Sequence, residues 1–118
     1  SIQNSSINMA IDKGVSVGEM SKAVINNITI NNSNIGIAVK DLSSADISSS
    51  TINNNKYGLS IYKKNWRFCS PGSVTLKHSI FNNNRIDVDI QEEGELSYDS
   101  KTSLDVIIGD GFVQKTQD

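Results

Sequence analysis

The stretch "INNSNIGIAVKDLSSADISSSTINNNKYGLSIYKKN", from Ile30 to Asn65, states nearly one phrase twice: an apolar residue, a run of Asn, then Gly and an alternating strand. The phrase also recurs outside it. Gly14, Gly36 and Gly58 stand 22 residues apart, and Asp87 follows 29 residues after Gly58, one period lengthened by a seven-residue insertion. Self-similarity at a fixed period marks stacked units. It also argues against reading this Ser- and Asn-rich chain as a disordered, low-complexity segment.

Aligning the units produces columns. "GVSV", "GIAV", "GLSI" and "DVDI" superpose, so Val15, Ile37, Leu59 and Val88 form one column, and Val17, Val39, Ile61 and Ile90 another. That alternation predicts a strand with one buried face. A second strand follows from Ala23, Ala45 and Val74 with Ile25, Ile47 and Leu76, continued by Leu96 and Tyr98. A third apolar column holds Ile30, Ile52 and Phe81, with Ile7 near it; beside it stand Asn31, Asn53 and Asn82, then Asn32, Asn54 and Asn83, and then Ile35, Tyr57 and Ile86.

Three short strands per unit, no helix-period segment for a crossover and no Asn-Gly hairpin signal leave a parallel β-helix as the architecture. In such a coil equivalent residues stack at about 4.8 Å. Asn at a bend adopts left-handed backbone conformations, and its amide carries donors and an acceptor for the Asn above and below, so an Asn ladder is expected to pin the register. The expected fold is all-β: a right-handed single-stranded parallel β-helix of about four to five turns of 22 residues with a C-terminal capping segment.

The phrases "ITINNSNIGIAV", "STINNNKYGLSI" and "SIFNNNRIDVDI" resemble the turns of right-handed parallel β-helices of the pectate-lyase-like superfamily, including repeats of the carbohydrate-binding and sugar-hydrolase type. The resemblance covers roughly Asn8 to Tyr98, and "YKKNWRFCSPGSVTL" is similar to a loop-bearing turn of β-helix modules in bacterial surface proteins. The superfamily holds lyases, hydrolases, adhesins and inert stalks, so the resemblance implies fold rather than activity. Its lyases use a positioned base with acidic residues and Arg or Lys along several turns, and hydrolases need paired carboxylates. No such pair recurs in the strands here.

At 118 residues the chain is one domain in length, read as a partial first turn over 1–13, regular turns over 14–98 with an insertion at 65–72, and a terminal strand and tail over 99–118. The irregular start reads as a cut inside a longer chain. A net charge of -2 and pI near 5.3 oppose a nucleic-acid footprint. No apolar run reaches the roughly 18 residues of a membrane span, and the single Cys69 closes no internal disulfide. No cofactor is expected. A polysaccharide or a cell-surface protein is the expected partner, an extracellular or cell-surface setting is favoured, and an uncapped coil end invites end-to-end self-association.

The candidate ligand-binding residues are Glu19, Asp41, Lys63, Lys64, Trp66 and Arg67. Loops that interrupt a regular stack commonly carry binding residues; Trp66 offers a flat face to a sugar ring, and Lys63, Lys64 and Arg67 suit the carboxylates of an acidic polysaccharide. The competing reading packs Trp66 and Phe68 against the flank of the coil. Glu19, Asp41, Lys63 and Glu92 share one bend column, where stacked carboxylates either perturb one another's pKa and recruit a cation or splay into solvent. Ser16, Ala38, Ser60 and Asp89 form an outward strip of small residues suited to an extended glycan. His78 has no second His at metal-ligand spacing, Cys69 has no readable His partner, and the "GDG" at Gly109 to Gly111 is a turn too short to be a calcium signature. These features point to a non-catalytic module for surface recognition or display that contacts carbohydrate. A structural spacer or cap, and a partial lyase or hydrolase, are the alternatives.

Overall fold

The computed structural model describes residues 1–8, 12–65 and 70–117. Among the described residues fifteen strands fall into three sheets, and every strand pair is parallel. The first sheet stacks β3 (Lys13–Val17), β6 (Ile35–Lys40), β9 (Tyr57–Tyr62), β12 (Ile86–Ile90) and β14 (Ile107–Ile108). The second stacks β1 (Ile2–Gln3), β4 (Lys22–Asn26), β7 (Ser43–Ser48), β10 (Gly72–Lys77), β13 (Glu95–Tyr98) and β15 (Phe112–Lys115). The third holds β2 (Ser6–Asn8), β5 (Thr29–Asn31), β8 (Thr51–Asn53) and β11 (Ile80–Asn82). The chain visits the sheets in rotation, so each strand pairs with its counterpart one lap away and the repeat becomes a coil.

The register is that of the sequence columns. Val15 pairs with Ile37, Ile37 with Leu59 and Leu59 with Val88; Ile25 pairs with Ile47, Ile47 with Leu76 and Leu76 with Tyr98; Ile7, Ile30, Ile52 and Phe81 stack in the third sheet. Inward members of all three sheets meet in one aliphatic core, where Ile25, Ile30, Ile37, Ile52, Leu59, Ile61, Leu76 and Leu96 are fully buried. Burial of such a side chain is worth about 1.5–3 kcal/mol.

The corners follow a rule at two of the three bends. Each has a residue in the left-handed region, followed by a residue that is buried or half-buried on all laps but the first and that, on most laps, carries a hydrogen-bonding side chain. Between the second and third sheets the left-handed position is Asn4, Asn27, Ser49 or His78; between the third and first it is Asn32, Asn54 or Asn83. At the former corner the Ile28, Ser50 and Ser79 backbone N–H groups donate to the hydroxyls of Ser50, Ser79 and Thr102, each one lap on, at 3.2, 3.4 and 3.3 Å. At the latter, Ser33 and Asn55 N–H donate to the Asn55 and Asn84 Oδ1 atoms at 2.8 and 3.0 Å. A buried N–H that the strand ladders miss is thus met by the next lap.

The ladder differs from the expected one. Among the described residues, amide-to-amide bonds between laps join Asn27 to Asn4, Asn32 to Asn8 and Asn55 to Asn84. Asn31, Asn53 and Asn82 stack in register, yet no side-chain bond joins them, and the Asn53 Oδ1 atom is buried without a partner. Their side chains project from strands, whereas those of Asn55 and Asn84 sit at a bend, within reach of orphan backbone groups.

The repeat's glycines reflect close approach. A Cβ on Gly36 would lie 2.6 Å from the Gly58 carbonyl oxygen, and one on Gly58 would lie 2.7 Å from both the Asp87 oxygen and the Phe81 ring. Asp87, at the same position one lap on, is buried and spends its carboxylate on backbone: Oδ2 accepts the Asp105 and Val106 N–H groups at 2.6 and 3.1 Å. There the lap shortens. Val88 pairs with Ile107 and Leu96 with Val113, separations of 19 and 17 residues. Where the sequence suggests one terminal strand after residue 98, two strands, β14 and β15, and an isolated bridge from Ile80 to Ser103 carry the coil through a tighter lap.

Candidate functional site

The seven-residue insertion leaves the first sheet at Lys63 and returns at β10, and both flanks are tied down by neighbouring laps. Asp41, 2 % exposed at its corner, accepts the Lys64 and Asn65 N–H groups on Oδ1, each at 2.9 Å. The Gln91 side chain accepts the Lys63 N–H at 2.8 Å, Ser70 Oγ donates to the Glu93 carbonyl at 3.2 Å, and Leu42 N–H donates to the Ser70 carbonyl at 3.0 Å. Between the flanks and the next corner lies an open depression of about 390 Å³, lined by Lys63, Pro71, Gln91, Glu92 and Glu93.

The predicted residues therefore separate. Lys63 and Glu92 line one depression. Glu19 is exposed at its corner, with a positive φ of 56°. Asp41 is a structural clasp, because its carboxylate is buried and accepts loop backbone N–H groups, so it neither splays into solvent nor stands exposed beside Glu19. Lys64 is exposed, with its N–H held by that clasp. Trp66 and Arg67, like Cys69, lie outside the described residues. Sequence reasoning missed Gln91, Glu93 and Pro71, which only the folding of the insertion onto the next lap brings together.

The strip on the outer face of the first sheet is not the open track expected of it. Ser16 is exposed and Asp89 half-buried, but Ala38 and Ser60 between them are 0 % and 6 % exposed. Burial holds the Asp89 carboxyl above the ordinary aspartate range. At the margin of this face Asp12 and Lys13 pair at 2.7 Å, and their hydrogen bond is the leading cause of the lowered Asp12 pKa and the raised Lys13 pKa. The second sheet's outer face is the more open one: Val24, Asp46, Thr75 and Ser97 share a register column across four laps, and all four are exposed or half-exposed.

Among the described residues no group of three or more His, Cys, Asp or Glu side chains is placed to hold a metal ion, and no helix is long and apolar enough to cross a membrane. A family model described as a right-handed β-helix region matches residues 1–107. The chain belongs to the right-handed β-helix family. Searches of curated proteins and of solved structures give no match. Membership agrees with the parallel in-register sheets of this β-helix, and with function living in sites grafted onto the coil rather than in the coil itself.

Proposed function

We propose that this β-helix is a non-catalytic module for surface recognition or display that binds carbohydrate at the flank of its insertion. The observation that carries the reading is the depression of about 390 Å³ lined by Lys63, Pro71, Gln91, Glu92 and Glu93. An ammonium, two carboxylates and an amide around a shallow hollow match the alternating donors and acceptors of sugar hydroxyls, and Trp66, in the same insertion, supplies ring-stacking surface. The buried carboxylates Asp41, Asp87 and Asp99 all accept backbone N–H groups, which favours binding over acid-base chemistry on this chain. Titration with neutral and acidic polysaccharides, followed by the fluorescence of the single Trp66, tests the reading. A saturable change, weakened by Glu92→Gln combined with Glu93→Gln, supports it; no response to any polysaccharide removes carbohydrate from the function.

A second reading, that of a structural spacer, draws on the sheet edges. β1, β2 and β3 form one open margin of the coil and β15 and β14, beside a β11 edge already bridged by Ser103, form the other, and Val106, Ile108 and Phe112 are exposed apolar residues near the latter. Unpaired edges template further strands, so this reading requires concentration-dependent association in solution scattering, and a monomer at all concentrations eliminates it.

A further inference from the structure

A second hollow, of about 350 Å³, opens on the other side of the coil, lined by Thr75, Leu76, Lys77, His78, Ser97, Tyr98, Asp99 and Thr116. It sits where the second sheet bends toward the third. His78 occupies the left-handed corner position that other laps give to Asn4, Asn27 and Ser49, so the bend aims an imidazole outward where the repeat elsewhere has a small amide or hydroxyl. The ring is held from behind. Its Nε2 lies 3.3 Å from Asp99 Oδ2, and the Asp99 carboxylate, 3 % exposed, is itself anchored by the His78 backbone N–H at 3.0 Å and the Thr102 hydroxyl at 2.7 Å.

We infer that this hollow binds the carboxylate of an acidic sugar, with Lys77 as the cationic partner, the His78 imidazole beside it and the Thr75, Ser97 and Thr116 hydroxyls meeting the ring. The His78 side chain is about half exposed while Asp99 is sealed beneath it, so a ligand meets the imidazole and not the carboxylate. Lys77 is exposed and makes no ion pair among the described residues. The titratable and charged groups around the imidazole are Lys77 on β10, Tyr98 on β13 and Asp99 behind it, with Asp46 on β7 facing Lys77 across an adjoining depression. An incoming carboxylate meets the Lys77 ammonium on the wall of the hollow that also carries the imidazole. The inference shares the carbohydrate reading of the insertion but uses a different surface and a different probe.

His78 is the only His in the chain, so its ring protons give unique signals in a one-dimensional proton NMR spectrum. The intact chain is titrated at constant pH with a short polyuronate, with the uncharged analogue of equal length and with acetate. Expected are a saturable shift of the His78 signals with the polyuronate, weakened about ten-fold in Lys77→Met, and much weaker shifts with the analogue and with acetate. Equal shifts from the polyuronate and acetate reduce the site to a plain anion site and overturn the sugar part. Equal shifts from the uncharged analogue, or no saturable shift, overturn the inference. Trp66 fluorescence in the same titration reports the insertion separately: a Trp66 response with silent His78 signals sinks this site alone, and the converse sinks the insertion site alone.

Discussion

Replacing Asn55 by Ala removes the acceptor of a buried donor and tests which Asn column holds the coil. Asn55 is 4 % exposed; its Oδ1 accepts the Ser33 N–H at 2.8 Å and its Nδ2 donates to Asn84 Oδ1 at 3.0 Å. Leaving the Ser33 N–H unsatisfied costs about 1–3 kcal/mol, and the lost amide-amide bond adds about 1 kcal/mol. The Asn84 oxygen keeps the Asn55 backbone N–H at 3.0 Å, so it is not orphaned as well. The sum is about 2–4 kcal/mol. At about 2.1 cal/mol/K per residue of unfolding entropy, a chain of this length loses roughly 8–16 °C in Tm. Asn82→Ala is the matched control: Asn82 is exposed and its side chain makes no hydrogen bond among the described residues, so its cost falls within about 0.5 kcal/mol. Circular dichroism during urea and thermal unfolding measures both, with an unchanged urea slope confirming that stability alone has moved. Equal losses from the two variants would refute the claim that corner side chains satisfying backbone, rather than stacked amides on strands, secure the register.

Asp41→Ala should destabilise the chain by about 2–4 kcal/mol by removing the carboxylate that accepts the Lys64 and Asn65 N–H groups and placing Ala at a φ of 55°. Asp41→Asn, which keeps an acceptor and tolerates that φ, should cost less than half as much in the same unfolding assay. Gly58→Ala drives a methyl group to 2.7 Å from both backbone and the Phe81 ring, and should cost at least about 2 kcal/mol; a neutral result would show that the laps can separate. For Asp99, whose pKa burial alone would raise but hydrogen bonds from Thr102 and the His78 backbone hold below 3.8, the unfolded chain binds the proton more readily. Its contribution is therefore present above the ordinary aspartate value and lost as pH falls through the lower folded value. Asp99→Asn should flatten that acid limb in pH-dependent urea unfolding. Asp89 has the opposite sign, because burial raises its folded pKa: its stabilising effect belongs to acid pH and fades as pH rises through the folded value, so Asp89→Asn should stabilise the chain near neutrality.

Period and alternation are local properties of a chain, and they were enough to establish the lap length, the three strands, the inward columns and the stacking partners of the core residues in the regular turns, Ile28 apart. Ile37 over Leu59 and Ile30 over Ile52 follow from counting, because a parallel in-register stack admits one pairing once the repeat is aligned. What an orphan N–H at a corner chooses as its partner is not local. It depends on which side chain of the next lap reaches it, and so Ser50, Ser79, Asn55 and Asn84 carry bonds that composition alone spreads over all the Asn and Ser residues. The same reason divided the candidate column. Asp41 lies under the insertion and is consumed by its backbone, while Glu92 stands beside it facing solvent. The hollow beneath His78 likewise needed folding, because it joins Thr75 to Thr116 through laps of unequal length. Repetition in one dimension decides what lies above what; the insertion and the shortened lap, which break that repetition, decide where the surface becomes concave.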